Sequence, residues 1–153
     1  MQMSNMIQSA KEQVAALTKA AYEKAAQAGL LPGGAEVKAT IEIPKDTSHG
    51  DYASSFAMAG AKALHMAPRA IAQIIVDHLE LEGSYFDKAE IAGPGFLNFT
   101  LGAKWYGDVL AAIETEGADY GSTDEGKGEK VMVEFVSANP TGPMHMGNAR
   151  GGV

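Results

Sequence analysis

The groups best placed to do chemistry run from Glu134 to Gly152. Glu134 is the lone carboxylate in Lys130-Val131-Met132-Val133-Glu134-Phe135-Val136, a short, β-branched and otherwise apolar run that predicts a buried parallel strand. Ser137-Ala138-Asn139-Pro140-Thr141-Gly142-Pro143 follows, and its prolines and glycine forbid regular structure and turn the chain at the strand's C-terminal end. A helix is predicted to start near Met144. In open α/β sheets, ligands bind outside the strand C-termini, where the next helix offers unpaired N–H groups and a positive dipole end to phosphate. His145, one turn into that helix, is the candidate side chain for such a contact.

A second candidate lies upstream. Residues 84–92 and 96–101 read as two strands around Gly93-Pro94-Gly95, where proline presets one turn dihedral and glycine accepts the positive φ of the next. If Leu97, Phe99 and Leu101 face a core, the pleat puts Phe96, Asn98 and Thr100 on the opposite face. That face pairs an aromatic plane with an amide, the combination that reads unstacked bases. The competing reading has Phe96 packed under a helix and Asn98 capping a turn.

The other histidines carry less. His49 precedes Gly50-Asp51, and a turn and helix-cap role fits it better than metal or acid/base chemistry, with Asp51 accepting backbone N–H bonds ahead of Tyr52. His65 and His78 fall in helical stretches without partners at ligand spacing.

The elements that must position these groups can be read from periodicity. Residues 4–28 form an amphipathic helix striped by Ile7, Ala10, Val14, Leu17 and Ala21 and stopped by Gly29 and Pro32. Residues 37–43 alternate Val37, Ala39, Ile41 and Ile43 against Glu36, Lys38, Thr40 and Glu42, which predicts a half-buried antiparallel strand ended by Pro44. Residues 52–66 and 68–81 predict two helices, the second opened by Pro68 and striped by Ile71, Ile74, Ile75 and Leu79. Residues 103–116 predict another helix. Residues 117–128, with Gly117, Gly121, Gly126 and Gly128 among polar side chains, predict a flexible surface connection and a domain boundary.

Composition sets wider bounds. A chain of 153 residues with 46% hydrophobic content has room for a real core. The absence of cysteine excludes disulfides, thiolate metal sites and a thiol nucleophile. With no signal-peptide pattern and no run long enough to span a membrane, a cytoplasmic location is expected. The net charge of −7 argues against a dedicated nucleic-acid module, whose affinity usually comes from Lys and Arg on phosphates. A local patch, or a positive field on other domains, would reconcile that charge with RNA contact.

The run from Glu134 to Gly151 resembles the first strand, loop and helix of the class I aminoacyl-tRNA synthetase catalytic domain, with His145-Met146-Gly147-Asn148 at the His-Ile-Gly-His signature. Together with Ile43-Pro44-Lys45-Asp46, Gly50-Asp51-Tyr52-Ala53 and residues 91–99, it is similar to the arginyl-tRNA synthetases. The resemblance implies an α+β additional domain over 1–102, an antiparallel sheet with helices, that contacts the tRNA elbow. A linker helix and flexible connection over 103–129 would follow, then the truncated start of an α/β Rossmann-type catalytic domain over 130–153. It implies that Glu134, Ser137 and Asn139 line an arginine pocket, since a guanidinium needs carboxylate and amide oxygens at fixed positions. It also gives His145 and Asn148 the ATP phosphates, by electrostatic stabilisation rather than proton transfer, and lets adenosine approach the backbone at Gly147. Phe96 and Asn98 would meet a D-loop base.

Asn148 stands where a second histidine is common, and its amide can donate a hydrogen bond but carry no charge. Ser55 stands where an asparagine is common. The implied reaction is that of an arginine–tRNA ligase, joining arginine to tRNA(Arg) at the expense of ATP with Mg2+, in a monomeric parent. The 153 residues lack a Lys-Met-Ser-Lys-like loop and an anticodon-binding domain, so they are expected to catalyse nothing alone. A stand-alone RNA-binding module and a class I synthetase of another specificity are the alternatives.

Overall fold

Asn5 starts the first helix: its Oδ1 accepts the Gln8 N–H at 2.9 Å, and α1 runs Met6–Gln27. The computed structural model describes residues 5–123, 126–139 and 141–151, so Ser4 and Pro140 of the expected elements lie outside the described residues. The chain divides into two units, Met1–Gly121 and Ser122–Val153. Along α1, Ala10, Val14, Thr18, Ala21 and Ala25 are buried at helical spacing. Thr18 joins this apolar stripe because its hydroxyl donates back to the Val14 carbonyl at 2.8 Å. Ile7, expected in the stripe, is instead 51% exposed.

The sheet is four-stranded and antiparallel, in the order β1-β2-β4-β3, with β1 at Ile41–Glu42, β2 at Tyr52–Ser54, β3 at Phe86–Ala92 and β4 at Phe96–Leu101. Helices α2 (Phe56–Gly60) and α3 (Pro68–Asp77) join α1 against one face. The core there is built on Val14, Ile71, Ile75, Phe86, Leu97 and Phe99. Phe86 packs edge-on to Phe99 with ring centroids 5.4 Å apart, and both are fully enclosed, worth roughly 1.5–3 kcal/mol each in buried apolar surface. Leu97 and Phe99 thus face the core as the pleat predicts, and Phe96, Asn98 and Thr100 take the outer face. Helix α4 (Ala103–Glu116) is tied to the start of α1 by Trp105, whose Nε1–H donates to the Met6 carbonyl at 3.2 Å.

Several expectations need correction. Residues 52–66 are not one helix: Tyr52, Ala53 and Ser54 pair with Phe99, Asn98 and Leu97, and only Phe56–Gly60 is helical. The ladder satisfies backbone groups that helix propensity alone would have paired locally, so tertiary pairing wins. The strand over 37–43 shrinks to Ile41–Glu42, because β2 offers partners only at Ser54 and Ala53. Ile43 is left 56% exposed.

The strand expected over 130–136 is absent, as is the α-helix expected from Met144. Among the described residues of the second unit no strand stands beside this run, and a parallel strand without a neighbour has nowhere to send its N–H and C=O groups. Val131, Met132, Val133 and Phe135 are exposed, and Val136 sits at φ +52, which breaks the extension. Met146–Gly151 forms a 3-10 segment instead. Among the described residues no helix is long and apolar enough to cross a membrane.

Gly50 sets where β2 begins. It holds φ +79, and a Cβ there would lie 2.8 Å from the Phe99 carbonyl oxygen. Asp51, expected to cap a helix, instead extends the sheet: its N–H donates to Phe99 O at 2.8 Å, and its Oδ2 accepts the Leu101 N–H at 2.8 Å.

Candidate nucleic-acid interface

The outer face of the sheet is organised around Asn98. Strand register places Glu42, Ala53, Asn98 and Glu90 in one row across the four strands, with Thr100 opposite Lys88 and Phe96 opposite Ala92. Ala53 is small, so the surface is hollow beside Asn98. Pro44 and the 3-10 turn Thr47–His49 stand over that hollow. The turn is held by Asp46, whose Oδ1 accepts the Ser48 N–H at 2.9 Å. Hydrogen bonding from Ser48, hydroxyl and then backbone, holds the Asp46 carboxyl below its ordinary value, with His49 adding to it.

Two adjoining clefts result. One, of about 410 Å3, is lined by Pro44, Lys45, Ala53, Pro94, Phe96 and Asn98. The other, of about 590 Å3, is lined by Ser48, Lys88, Glu90, Thr100 and Tyr106, and His49, Ala92 and Asn98 border both. Both volumes fall in the range of small-ligand sites.

Asn98 is only 9% exposed, and among the described residues its side chain makes no hydrogen bond. Its amide atoms reach the cleft rather than being sealed in the protein, and a donor and an acceptor open beside an aromatic can pair with a planar polar group. The hairpin that carries them is pinned at its turn, where Arg69 Nη1 donates to the Gly93 carbonyl at 2.9 Å. The alternative of Phe96 under a helix and Asn98 capping a turn does not occur: both lie on the open face of β4.

The second unit is described by itself. Glu134, Ser137 and Asn139 are exposed, and no hydrogen bond between their side chains draws them into a pocket among the described residues. His145-Met146-Gly147-Asn148 closes on itself: Asn148 Oδ1 accepts the His145 N–H at 3.0 Å, Asn148 N–H donates to His145 O at 2.9 Å, and Gly147 N–H donates to His145 Nδ1 at 3.0 Å. The imidazole therefore lies over Gly147, where a Cβ would meet its Cε1 at 2.8 Å. Gly147 here makes room for the histidine ring. With Nδ1 accepting, Nε2 is the ring nitrogen left to donate.

The family model for the arginyl tRNA synthetase N terminal domain matches residues 5–101. The chain belongs to that family. It is similar to the arginine–tRNA ligases of Acetivibrio thermocellus, at 49% identity over 98% of this chain, and of Caldanaerobacter subterraneus subsp. tengcongensis, at 48% identity over 98%. In each case the chain spans 27% of the relative's length. The fold is also that found in arginyl-tRNA synthetase from Plasmodium falciparum, with a TM-score of 0.56 and 13% identity over 74% of this chain and 19% of that one.

In this arginyl-tRNA synthetase N-terminal domain, sequence reasoning places Phe96 and Asn98 on the outer face but not what surrounds them. Ala53 was read as helical and His49 as a turn residue, yet both border the Asn98 cleft. Lys88, Glu90 and Tyr106 carried no signal by themselves. Alternation along residues 86–92 would have put Lys88 and Glu90 on one face, but which face they share with Asn98 depends on the register of the hairpin.

Proposed function

We propose that this chain is the N-terminal part of an arginine–tRNA ligase and that residues 1–102 hold an unpaired base of tRNA(Arg) on the outer face of the sheet. The observation that carries the base contact is Asn98: nearly buried, without a protein partner, and open to a cleft edged by Phe96. An amide donates and accepts at once, so it can read a base edge while the ring stacks on the base plane. The net charge of −7 fits a domain that contacts bases more than phosphates, with the phosphate attraction supplied by other parts of the parent.

In this reading residues 103–129 connect to a catalytic domain of Rossmann type, in which 130–136 become a buried parallel strand once neighbouring strands accept their backbone groups. Glu134 would then meet the guanidinium of arginine, with Ser137 and Asn139 fixing its direction by hydrogen bonds. Bound ATP with its Mg2+ would supply the reactive phosphoryl centre for arginine's carboxylate. His145 Nε2 and the Asn148 amide would donate to phosphate oxygens as negative charge builds there. The parent would act in the cytoplasm as a monomer.

The test is tRNA charging by the full-length parent across the amino acids, with Asn98→Ala, Glu134→Ala and His145→Ala alongside. Arginine alone should be charged. Asn98→Ala should raise KM for tRNA, Glu134→Ala should raise KM for arginine, and His145→Ala should cut turnover by about a hundredfold or more, as loss of one aligned donor does elsewhere. A folded parent that charges no arginine would refute the proposal.

A further inference from the structure

Asn98 does not look into one cleft only. With His49 and Ala92 it forms the wall between two, and the base contact proposed above uses the one edged by Phe96. The other is polar, with Ser48, Lys88, Glu90 and Thr100 in its lining, and at its α4 end stands Tyr106. That tyrosine is 53% exposed. Its ring meets Trp105 edge-on at 5.1 Å, and among the described residues its hydroxyl makes no hydrogen bond. An open aromatic face beside hydroxyl and carboxylate groups suits an unstacked nucleotide, with the ring under the base and the polar groups on the ribose 2′-hydroxyl.

Charge favours base and sugar over phosphate in this second cleft. Lys88 is paired with Glu90 at 2.8 Å, and Asp51 brings a further carboxylate to the lining. Phosphate would therefore stay outside, at the wall that carries the exposed His49. Spacing sets the reach: Phe96 and Thr100, which line the far sides of the two clefts, lie four residues apart on one face of β4, about 13 Å at the usual strand rise. The clefts are thus close enough to be reached by nucleotides of one extended loop.

We infer that the outer face of the sheet holds two unpaired nucleotides of one RNA loop, one in each cleft, with Tyr106 as the second stacking platform. The inference rests on the RNA reading above and adds a subsite to it.

The full-length parent and tRNA(Arg) provide the test. A benzophenone photo-crosslinking residue replaces Phe96 in one variant and Tyr106 in another, and the adducts are mapped to single nucleotides. Adducts on two different nucleotides of one loop are expected. In parallel, Tyr106→Ala should weaken tRNA binding roughly fivefold to a hundredfold, the range for loss of one base–aromatic stack, while Tyr106→Phe keeps wild-type affinity and the salt dependence of binding is unchanged.

An RNA adduct from position 96 with none from position 106, a position-106 adduct outside that loop or on the parent's own polypeptide, or wild-type affinity in Tyr106→Ala would each overturn the second subsite alone. No RNA adduct from position 96 would overturn the base contact itself, and the subsite with it.

Discussion

Replacing Asn98 with valine should stabilise this domain and impair its use of tRNA. The side chain is 9% exposed and without a hydrogen bond among the described residues. The residue is nearly enclosed but its amide atoms still reach the water of the clefts, so only a small part of the roughly 1–3 kcal/mol that an unpaired buried polar group costs applies here. Valine removes the amide, and its branched side chain suits a central strand, where propensities differ by up to about 1 kcal/mol. The expected gain is about 1 kcal/mol, or a rise of roughly 4 °C in Tm for a domain of this size.

Urea denaturation followed by the fluorescence of Trp105, the single tryptophan, measures it as a higher midpoint at unchanged slope. In the full-length parent the same change should raise KM for tRNA about fivefold to a hundredfold, the worth of a two-point amide–base contact. A lower midpoint would refute the reasoning, since it would mean the amide supports the fold. An unchanged KM for tRNA would refute it from the other side.

Two further outcomes follow from the loop that walls the clefts. Gly50→Ala places a Cβ 2.8 Å from Phe99 O at φ +79, so it should cost more than about 2 kcal/mol, of which about 1–2 is the left-handed backbone alone, and speed hydrogen exchange at the Leu101 amide bound by Asp51; a wild-type midpoint would sink this. Asp46 has its folded carboxyl held below the ordinary value by Ser48, so its support of the Thr47–His49 turn is present above the unfolded pKa and is lost as pH falls through the lower folded value. The Ser48 amide resonance, followed from about pH 5 to about pH 2, should show that transition in wild type and not in Asp46→Asn.

How much could be read in advance depended on how local the cause was. Helices α1 and α4 and the hairpin Phe86–Leu101 follow from short-range pattern: an asparagine cap, a helical stripe, and a Gly-Pro-Gly turn between alternating runs. The outward placement of Phe96 and Asn98 followed too, because a strand has only two faces. Residues 52–54 were misread because three residues carry no period, and their strand state exists only through Phe99, Asn98 and Leu97, more than forty positions away.

The stretch from Glu134 to Asn148 shows the division most sharply. Its residue types predict a helix from Met144, whereas its local hydrogen bonds make a self-capped turn, in which Gly147 leaves room for the imidazole and Asn148 closes the loop on His145. They do not make a strand of residues 130–136, since a parallel strand is a property of its neighbours. The sequence by itself determined which elements are local and which side chains of β4 leave the core. Only the tertiary structure decided the order β1-β2-β4-β3, and with it the meeting of Ala53, Asn98, Glu90, His49 and Tyr106, because register and strand order are set by burying Phe86, Leu97 and Phe99 against the helices and not by any window of the chain.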